Sequence, residues 1–201
     1  MLSEFRNHLT IFLAGTTELS ATLPHSLAAQ FADRLDDMEA SAEFLQTLLV
    51  WMDTSISGGA LVMAEIGDVF RRTENLASSG LPHRARLFFE PRPGGVRNRG
   101  AALECALAAL LTELGRLPPV RTPDAYGPPG RVDIRVYTTP QRGSLSIHIE
   151  SNVEKPRSPG GWRVALARVL LGQVGATLEA PANTADTADS HAGFIVRFRF
   201  K

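Results

Sequence analysis

The chain has 201 residues, of which 44% are hydrophobic and 21% charged, a composition typical of a soluble globular protein with one or two small domains. Its 21 basic and 21 acidic residues cancel, which argues against a dedicated nucleic-acid-binding protein. A single cysteine, Cys105, excludes an intramolecular disulfide and a cysteine-based metal site, and its apolar neighbours predict a small buried side chain. We find no apolar run of the roughly 18 residues that a membrane span needs. The N-terminus also lacks the apolar core of a signal peptide, so we expect a cytoplasmic protein.

Residues 1–53 predict an antiparallel helical hairpin. The apolar positions of residues 2–23 recur at alternating steps of three and four, with Thr16 in the one polar slot, and this defines a heptad seam. Residues 26–52 keep a similar spacing, and the segment Pro24-His25-Ser26 between them is short enough only for a tight turn. Because two helices cannot cover such a seam, we expect a homodimer that forms a four-helix bundle. The expected dimer interface is Leu2, Phe5, Leu9, Phe12, Leu45 and Leu49.

The turn-forming residues 53–59 predict a domain boundary, and residues 60–201 form the second expected domain. Its first half predicts a helix over 60–76, a short strand over 84–90, a loop over 91–100 and a strong helix over 101–117. Residues 121–130, rich in proline and glycine, predict a loop.

The second half of this domain predicts a β-hairpin of residues 131–139 and 144–150, because apolar residues alternate along both segments. A loop over 151–161, a helix over 162–173, a strand over 177–180, a polar turn over 181–193 and a last strand over 194–200 follow. The fold class is therefore α+β: a helical hairpin followed by an α/β sandwich with helices on one face of a mixed sheet.

Two short segments and this element order resemble the catalytic core of sensor histidine kinases. The segment Ser3-Glu4-Phe5-Arg6-Asn7-His8-Leu9 is similar to the phosphoacceptor motif H-E-L-R-N-P-L, and residues 175–179 (GATLE) are similar to the G-G-x-I-E that follows the last helix of the family. The resemblance covers nearly the whole chain. It implies a dimerisation and phosphoacceptor hairpin followed by an ATP-binding-like domain.

The resemblance fails at the positions that carry the chemistry. The phosphorylated histidine of the family is replaced by Ser3, whose oxygen cannot form the phosphoramidate. The two asparagines of the Mg²⁺-binding helix are replaced by Ala109 and Glu113, and we interpret Glu113 as a helix-surface carboxylate.

The nucleotide boxes differ as well. The adenine-binding D-x-G box reads Ser151-Asn152-Val153, with Glu150 one place too early. The second glycine-rich box reads Gly161-Trp162-Arg163-Val164, so bulky side chains lie where the backbone would approach phosphate at a helix N-terminus. We therefore expect neither ATP nor a metal as a cofactor.

These departures predict a pseudo-histidine-kinase, a non-catalytic adaptor that binds a response-regulator receiver domain or a related signalling protein. The expected partner-binding surface is Ser3, Glu4, Arg6, Asn7 and His8. The alternative is a histidine phosphotransferase that passes phosphate between receiver domains through His8, which lies beside the apolar seam. A third interpretation is that the altered cleft binds a different ligand at Trp162 and Arg163.

The remaining polar groups point to no catalytic site. His25, His83, His148 and His191 show no metal-ligand spacing, and we interpret His148 as facing away from the buried side of its strand. The acidic residues of 33–39 predict a solvated helix face or part of a protein-binding surface. A basic stretch around the first strand is interpreted as a solubilising loop, and it contains Arg84, Arg86, Arg92, Arg97 and Arg99.

Overall fold

The computed structural model describes residues 2–24, 60–78, 80–119, 130–154, 161–179 and 191–199, with the single positions 27, 31, 35, 38, 42, 45, 46 and 49. These residues form a mixed α+β structure with a five-stranded sheet, a two-stranded ribbon and helices packed between them. The predicted loop over 121–130 lies almost wholly outside this part of the chain, as does the predicted polar turn over 181–193 up to residue 190. Residues 191–193 belong to the last strand instead, so the predicted turn is wrong there.

The first helix, α1, runs from Leu2 to Thr22, and the described positions between 27 and 49 are helical too. Leu9, Ala42 and Leu49 form a buried cluster, with Leu13 and Leu45 packed against it. Thr16, the polar slot of the seam, is 5% exposed, and its hydroxyl donates to the Leu13 carbonyl at 2.8 Å. The two segments therefore pack along the predicted seam, whereas the complete hairpin and the four-helix bundle stay predictions.

Strand β1, Leu61–Glu65, pairs antiparallel with β3, Gly95–Arg99, and the pair forms a two-stranded ribbon. Helix α2, Ile66–Ser78, follows β1 directly and buries Val69 and Phe70. The predicted helix over 60–76 is therefore wrong for residues 61–65, and the predicted loop over 91–100 is wrong for residues 95–99. The ribbon is short, and none of the residues of β1 is buried, so the sequence of β1 shows little strand alternation.

Helix α3, Ala102–Gly115, occupies the centre of the second domain and is buried on nearly all sides. Its neighbours are α2 and α4, Trp162–Gln173, together with strands of the sheet. A helix that is apolar around its whole circumference is stable only inside a core, which explains its run of alanines and leucines. The predicted helices over 101–117 and 162–173 are confirmed.

The sheet orders its strands β2-β4-β5-β7-β6, with β2 parallel to β4 and the other pairs antiparallel. The strands are β2 Ala85–Glu90, β4 Val132–Gln141, β5 Ser144–Glu154, β6 Ala176–Glu179 and β7 His191–Arg199. Ile134, Ile147 and Val196 are fully buried on the face that packs against the helices. The predicted hairpin is confirmed, and β5 extends four residues further than predicted, into the segment expected to be a loop.

Candidate functional site

The candidate site lies where the last turn of α3 approaches the first turn of α4. Glu113, in that last turn, has its side chain 24% exposed while the residues on either side of it along α3 are buried. The prediction of a simple surface carboxylate is therefore wrong. The carboxylate is turned toward α4, at the position where the kinase resemblance places a magnesium-binding asparagine.

Gly161 allows the close approach of the two helices. It is the N-cap of α4, and a Cβ atom added at this residue would lie 2.6 Å from Glu113 Oε1 and 3.2 Å from Glu113 Cδ. The Gly161 carbonyl accepts the first helical hydrogen bonds of α4, from the amides of Val164 and Ala165 at 3.1 and 3.2 Å. The negative carboxylate thus lies beside the positive end of a twelve-residue helix, where a phosphate group could otherwise bind.

Arg163 supplies the positive charge opposite Glu113. Its side chain is 8% exposed, and Nη1 lies 3.7 Å from Glu113 Oε2. The guanidinium carbon also lies 4.6 Å from the ring centroid of Trp162, within the range of a cation–π contact. The ion pair therefore lies between the two segments that the resemblance aligns with the magnesium-binding helix and the second glycine-rich box of the kinases.

The strand geometry decides whether Glu150 can replace the aspartate of the adenine-binding box. Neighbouring residues of a strand point to opposite faces of the sheet. Ser151 is buried on the helix side and donates to the Ala192 carbonyl at 3.0 Å, whereas Glu150 is exposed on the outer face and accepts a hydrogen bond from the Tyr137 hydroxyl at 2.5 Å. The shift of one residue thus places the carboxylate on the wrong side of the sheet for this cleft.

The other two residues of this box, Asn152 and Val153, make contacts within the fold. The Asn152 side chain accepts from the Asp133 amide at 2.8 Å and donates to the Arg131 carbonyl at 2.9 Å, and Val153 is fully buried. Each polar group of the box is thus engaged with the backbone of a neighbouring strand, and none is left to recognise a base.

Two surface cavities of the described residues lie elsewhere. One, of about 650 Å³, is bounded by the inner side of β1 and the first turns of α2 and α3; the other, of about 290 Å³, lies near His83. Neither is lined by Glu113, Trp162 or Arg163. No group of three histidine, cysteine, aspartate or glutamate residues within the described chain is arranged to bind a metal ion.

The predicted partner-binding residues all belong to α1, near its start. Asn7 is exposed, while the side chains of Ser3, Glu4, Arg6 and His8 lie outside the described part. Among the predicted dimer residues, Leu9 and Leu49 are buried within one chain, Leu45 is half-buried and Phe12 is 44% exposed. The side chains of Leu2 and Phe5 are not described. Both surfaces stay predictions.

His148 faces the outer side of the sheet, as the alternation of β5 indicated, and its ring stacks on Tyr137 with centroids 4.8 Å apart. Burial is the main reason why the pKa of His148 lies below its ordinary value. His83 is exposed in the turn before β2. Cys105 is 2% exposed, and burial raises the pKa of its thiol to about 12, which confirms an unreactive packing residue.

A buried polar network that the sequence did not reveal links β3, α2 and α3. Glu104, 1% exposed, accepts from Asn98 Nδ2 at 2.7 Å and from Arg72 Nε at 2.9 Å. Asn98 Oδ1 in turn accepts from the Leu103 amide at 3.2 Å. The sequence carries one signal of this network: α3 is otherwise apolar, yet it contains an acidic residue at Glu104. The same signal applies to Glu113, the second acidic residue of this helix. The network fixes the ribbon against the helices.

No family model and no curated protein matches this sequence. The fold, by contrast, matches solved structures of histidine kinases, and the chain has a histidine-kinase-like fold. Within the described residues, no helix is both long and apolar enough to cross a bilayer.

The Acinetobacter baumannii histidine kinase AdeS is similar over 98% of this chain and 98% of its own, with a TM-score of 0.55 and 13% identity. The mycobacterial sensor histidine kinase MprB covers 70% of this chain and 97% of its own, with a TM-score of 0.52 and 12% identity. The catalytic domain of histidine kinase ThkA gives a TM-score of 0.52, 10% identity and the same coverage as MprB. At these identities the likeness concerns the fold alone.

Proposed function

We propose that this protein is a pseudo-histidine-kinase: a dimeric, non-catalytic adaptor of two-component signalling that binds a response-regulator receiver domain and does not bind ATP. The observation that carries the proposal is the Glu113–Arg163 ion pair at the N-terminus of α4, with the Glu113 carboxylate seated against Gly161. This pair takes the place of the metal ligand and of the phosphate-binding glycines together.

The charge at this junction explains why nucleotide binding is unfavourable. A triphosphate would have to displace or face the Glu113 carboxylate, and displacing it would leave the largely buried Arg163 without that partner. Since Trp162 packs against the same guanidinium, opening the junction would disturb three side chains at once. Glu150 lies on the outer face of the sheet, where its carboxylate accepts a hydrogen bond from the Tyr137 hydroxyl. This position supports the proposal that the chain does not bind the adenine base of ATP either.

The dimer is supported by the apolar surface that one chain leaves uncovered. In α1, Phe12 is 44% and Leu19 48% exposed, one heptad apart; in the second segment, Phe31 is 38% and Met38 40% exposed, again one heptad apart. The buried residues Leu35, Ala42 and Leu49 repeat at the same interval. One heptad position thus packs within the chain, and the other is free to pack against a second copy.

A phosphate-transfer assay tests the adaptor function. The purified chain is incubated with radiolabelled ATP and Mg²⁺, and separately with a receiver domain loaded by acetyl phosphate. We expect no label on the chain in either reaction, while the wild-type chain retains the receiver domain in a pull-down. Label that appears from the receiver domain and is lost in His8→Ala would establish the phosphotransferase alternative, and label from ATP would establish a kinase.

A further inference from the structure

Strand β2 is an open edge of the five-stranded sheet. It lies at one end of the strand order, and among the described residues its only partner strand is β4. Its six residues contain neither a proline nor a bulge against β4, whereas the strand at the other edge, β6, has only four residues. An edge strand without such protection presents a row of free N–H and C=O groups on which another strand can pair.

The hydrogen bonds to β4 determine which backbone groups of β2 are free. The Arg84 carbonyl, just before the strand, accepts from the Val132 amide at 3.0 Å. Successive residues of a strand direct their N–H and C=O groups to alternate sides. The even-numbered residues of β2 therefore pair with β4, and Leu87 and Phe89 direct their backbone groups away from it. A further strand can exchange hydrogen bonds with these two residues.

The outer side of β2 carries a cation, an aromatic ring and an anion in that order. These exposed side chains are Arg86, Phe88 and Glu90, and they alternate with the half-buried Leu87 and Phe89, which pack against the core. Phe88 is 46% exposed, although it lies in the middle of the strand. When such a strand is turned end to end, the order of its charges is reversed, which is the condition for pairing with a copy of itself.

A second copy of β2 in antiparallel orientation matches this pattern when the two Phe88 side chains face each other. Arg86 of each strand then lies opposite Glu90 of the other, and Leu87 lies opposite Phe89. The Leu87–Phe89 pairs carry the free backbone groups, so they become the hydrogen-bonded pairs. The other pairs are then the non-hydrogen-bonded ones, in which side chains come closer together. Aromatic pairs and pairs of opposite charge stabilise antiparallel strands at such positions.

The neighbouring registers lose this match. A shift of two residues places Phe88 opposite Arg86 in one direction and opposite Glu90 in the other. In the first case the only basic residue opposite Glu90 would be Arg84, which precedes the strand. In the second case Arg86 would face Arg92, a pair of like charges that disfavours the pairing. The register centred on Phe88 is therefore the one that the side chains of β2 favour.

We propose that β2 pairs antiparallel with β2 of a second copy of this chain, in the register centred on Phe88, so that the two sheets become continuous across a two-fold axis. The Arg86 guanidinium then approaches the Glu90 carboxylate of the second copy, of which one oxygen lies 3.3 Å from Arg135 of its own chain. The contact covers one short strand in each copy, so it is weak and forms best between chains that are held together elsewhere. It uses neither α1 nor the α3–α4 junction and is therefore independent of the proposed function.

Disulfide trapping between full-length chains tests the register. Arg86→Cys and Glu90→Cys are introduced into separate chains of different size, which are mixed and equilibrated with reduced and oxidised glutathione; the native Cys105 is buried and does not interfere. The proposed register brings these two positions within disulfide range, whereas two copies of position 86 lie about 13 Å apart along the strands. The matched control mixes Glu90→Cys with Thr177→Cys, since Thr177 is exposed on the outer side of β6. We expect the mixed disulfide of the first pair at least about fivefold above the control and above the homodisulfides.

Charge exchange gives a second readout. Phe88→Cys places a thiol at the two-fold axis, where a disulfide can form between two copies. Adding Arg86→Glu or Glu90→Arg to this variant should lower the disulfide yield about fivefold when each chain is oxidised alone, because like charges then face each other. Mixing the two charge variants should restore the yield, because every facing pair is then of opposite charge.

Circular dichroism verifies that each variant is folded. A mixed disulfide no more abundant than the control, homodisulfides of Arg86→Cys as abundant as the mixed disulfide, or no recovery when the charge variants are mixed would each overturn the proposal.

Discussion

At the scale of single residues, each buried charge in the described part of the chain has a partner of opposite charge. Glu104 has both Arg72 and Asn98, and Arg163 has Glu113 with the ring of Trp162 beside it. Such pairs contribute little net stability, but removing one member leaves the other uncompensated in a poorly solvated site. The two members of a pair therefore differ in the cost of their removal.

We predict that Glu113→Ala lowers the free energy of unfolding by about 2 kcal/mol, because it leaves the buried Arg163 charge without this partner. Arg163→Met should cost less than about 1 kcal/mol, since the partly exposed Glu113 can turn to water. Urea unfolding measures both. The control is Glu179→Gln, which breaks the more exposed Glu179–Arg197 pair at a cost near about 0.5 kcal/mol. Equal losses of unfolding free energy in all three variants would contradict the interpretation of Glu113 and Arg163 as an ion pair in a poorly solvated site.

The approach of Glu113 to Gly161 gives a second prediction. Gly161→Ala places a methyl group 2.6 Å from Glu113 Oε1 and should destabilise the fold by about 1 kcal/mol. Gly172→Ala, in the same helix with no atom within 4 Å of the new methyl group, should instead stabilise it by about 0.5 kcal/mol. In the Glu113→Ala background the cost of Gly161→Ala should vanish. A cost that persists there would mean that another contact restricts Gly161.

The pH dependence of stability should report the environment of His148. Burial lowers its pKa in the folded state, Arg197 acts in the same direction, and Glu150 opposes both. The unfolded chain therefore binds a proton first as pH falls, so stability is lost as the pH decreases through about 6.5 toward the folded-state pKa. Urea unfolding between pH 5 and 8 measures this loss. His148→Gln should reduce it, and an unchanged pH profile would contradict this prediction.

At the scale of secondary-structure elements, α1 and the described positions of the 27–49 segment each have one heptad position that is buried within the chain and one that is exposed. Leu9 and Thr16 pack within the chain, while Phe12 and Leu19 are exposed. The proposed four-helix bundle covers this second set, so its removal should affect association more than folding.

We therefore predict that Phe12→Asp combined with Leu19→Asp converts the dimer into a monomer, because two charges would be buried at the bundle seam. Ala14→Asp, exposed on the other side of α1, serves as the control and should leave the dimer intact. Analytical ultracentrifugation distinguishes the two masses. A wild-type chain that is already monomeric at micromolar concentration would contradict the bundle.

Elements in which apolar residues recur at a regular helical or strand spacing were predictable from the sequence. Elements in which the two spacings overlap were not. The α3 and α4 helices and the β4–β5 hairpin show clear apolar patterns and carry few polar residues on their buried sides. The β1 strand was merged with α2 because Val62, Ile66 and Val69 happen to recur at helical spacing across the boundary. The β3 strand was missed because one of its buried residues is polar: Asn98 is tolerated only through Glu104 and the Leu103 amide.

The sequence predicts that the kinase motif residues are missing from the candidate site, but it does not predict the ion pair that stands in their place. Comparing positions showed that the asparagines, the aspartate and the glycines of the kinase motifs are missing. That Glu113 and Arg163 pair with each other depends on helix packing across 50 residues of sequence, and no local pattern contains that distance. The one hint in the sequence is that Glu113 and Arg163, both at substituted motif positions, carry opposite charges.

At the scale of the whole molecule, the histidine-kinase-like fold is present, and its α3–α4 junction carries side chains that differ from the kinase motifs. The sheet, the central helix and the helix that follows the second glycine-rich box all remain. At the α3–α4 junction, where the kinase resemblance places metal and phosphate contacts, a carboxylate, a guanidinium and an indole lie together. This arrangement supports the proposal that the chain serves as a protein-binding scaffold.

A calorimetric titration of the full chain with ATP and Mg²⁺ tests this account most directly. We predict no heat above dilution at millimolar nucleotide, because the Glu113–Arg163 ion pair and the Trp162 ring lie at the N-terminus of α4, where phosphate groups would have to bind. A binding isotherm with a dissociation constant in the micromolar range would contradict the account, since it would require the Glu113–Arg163 junction to open at little cost.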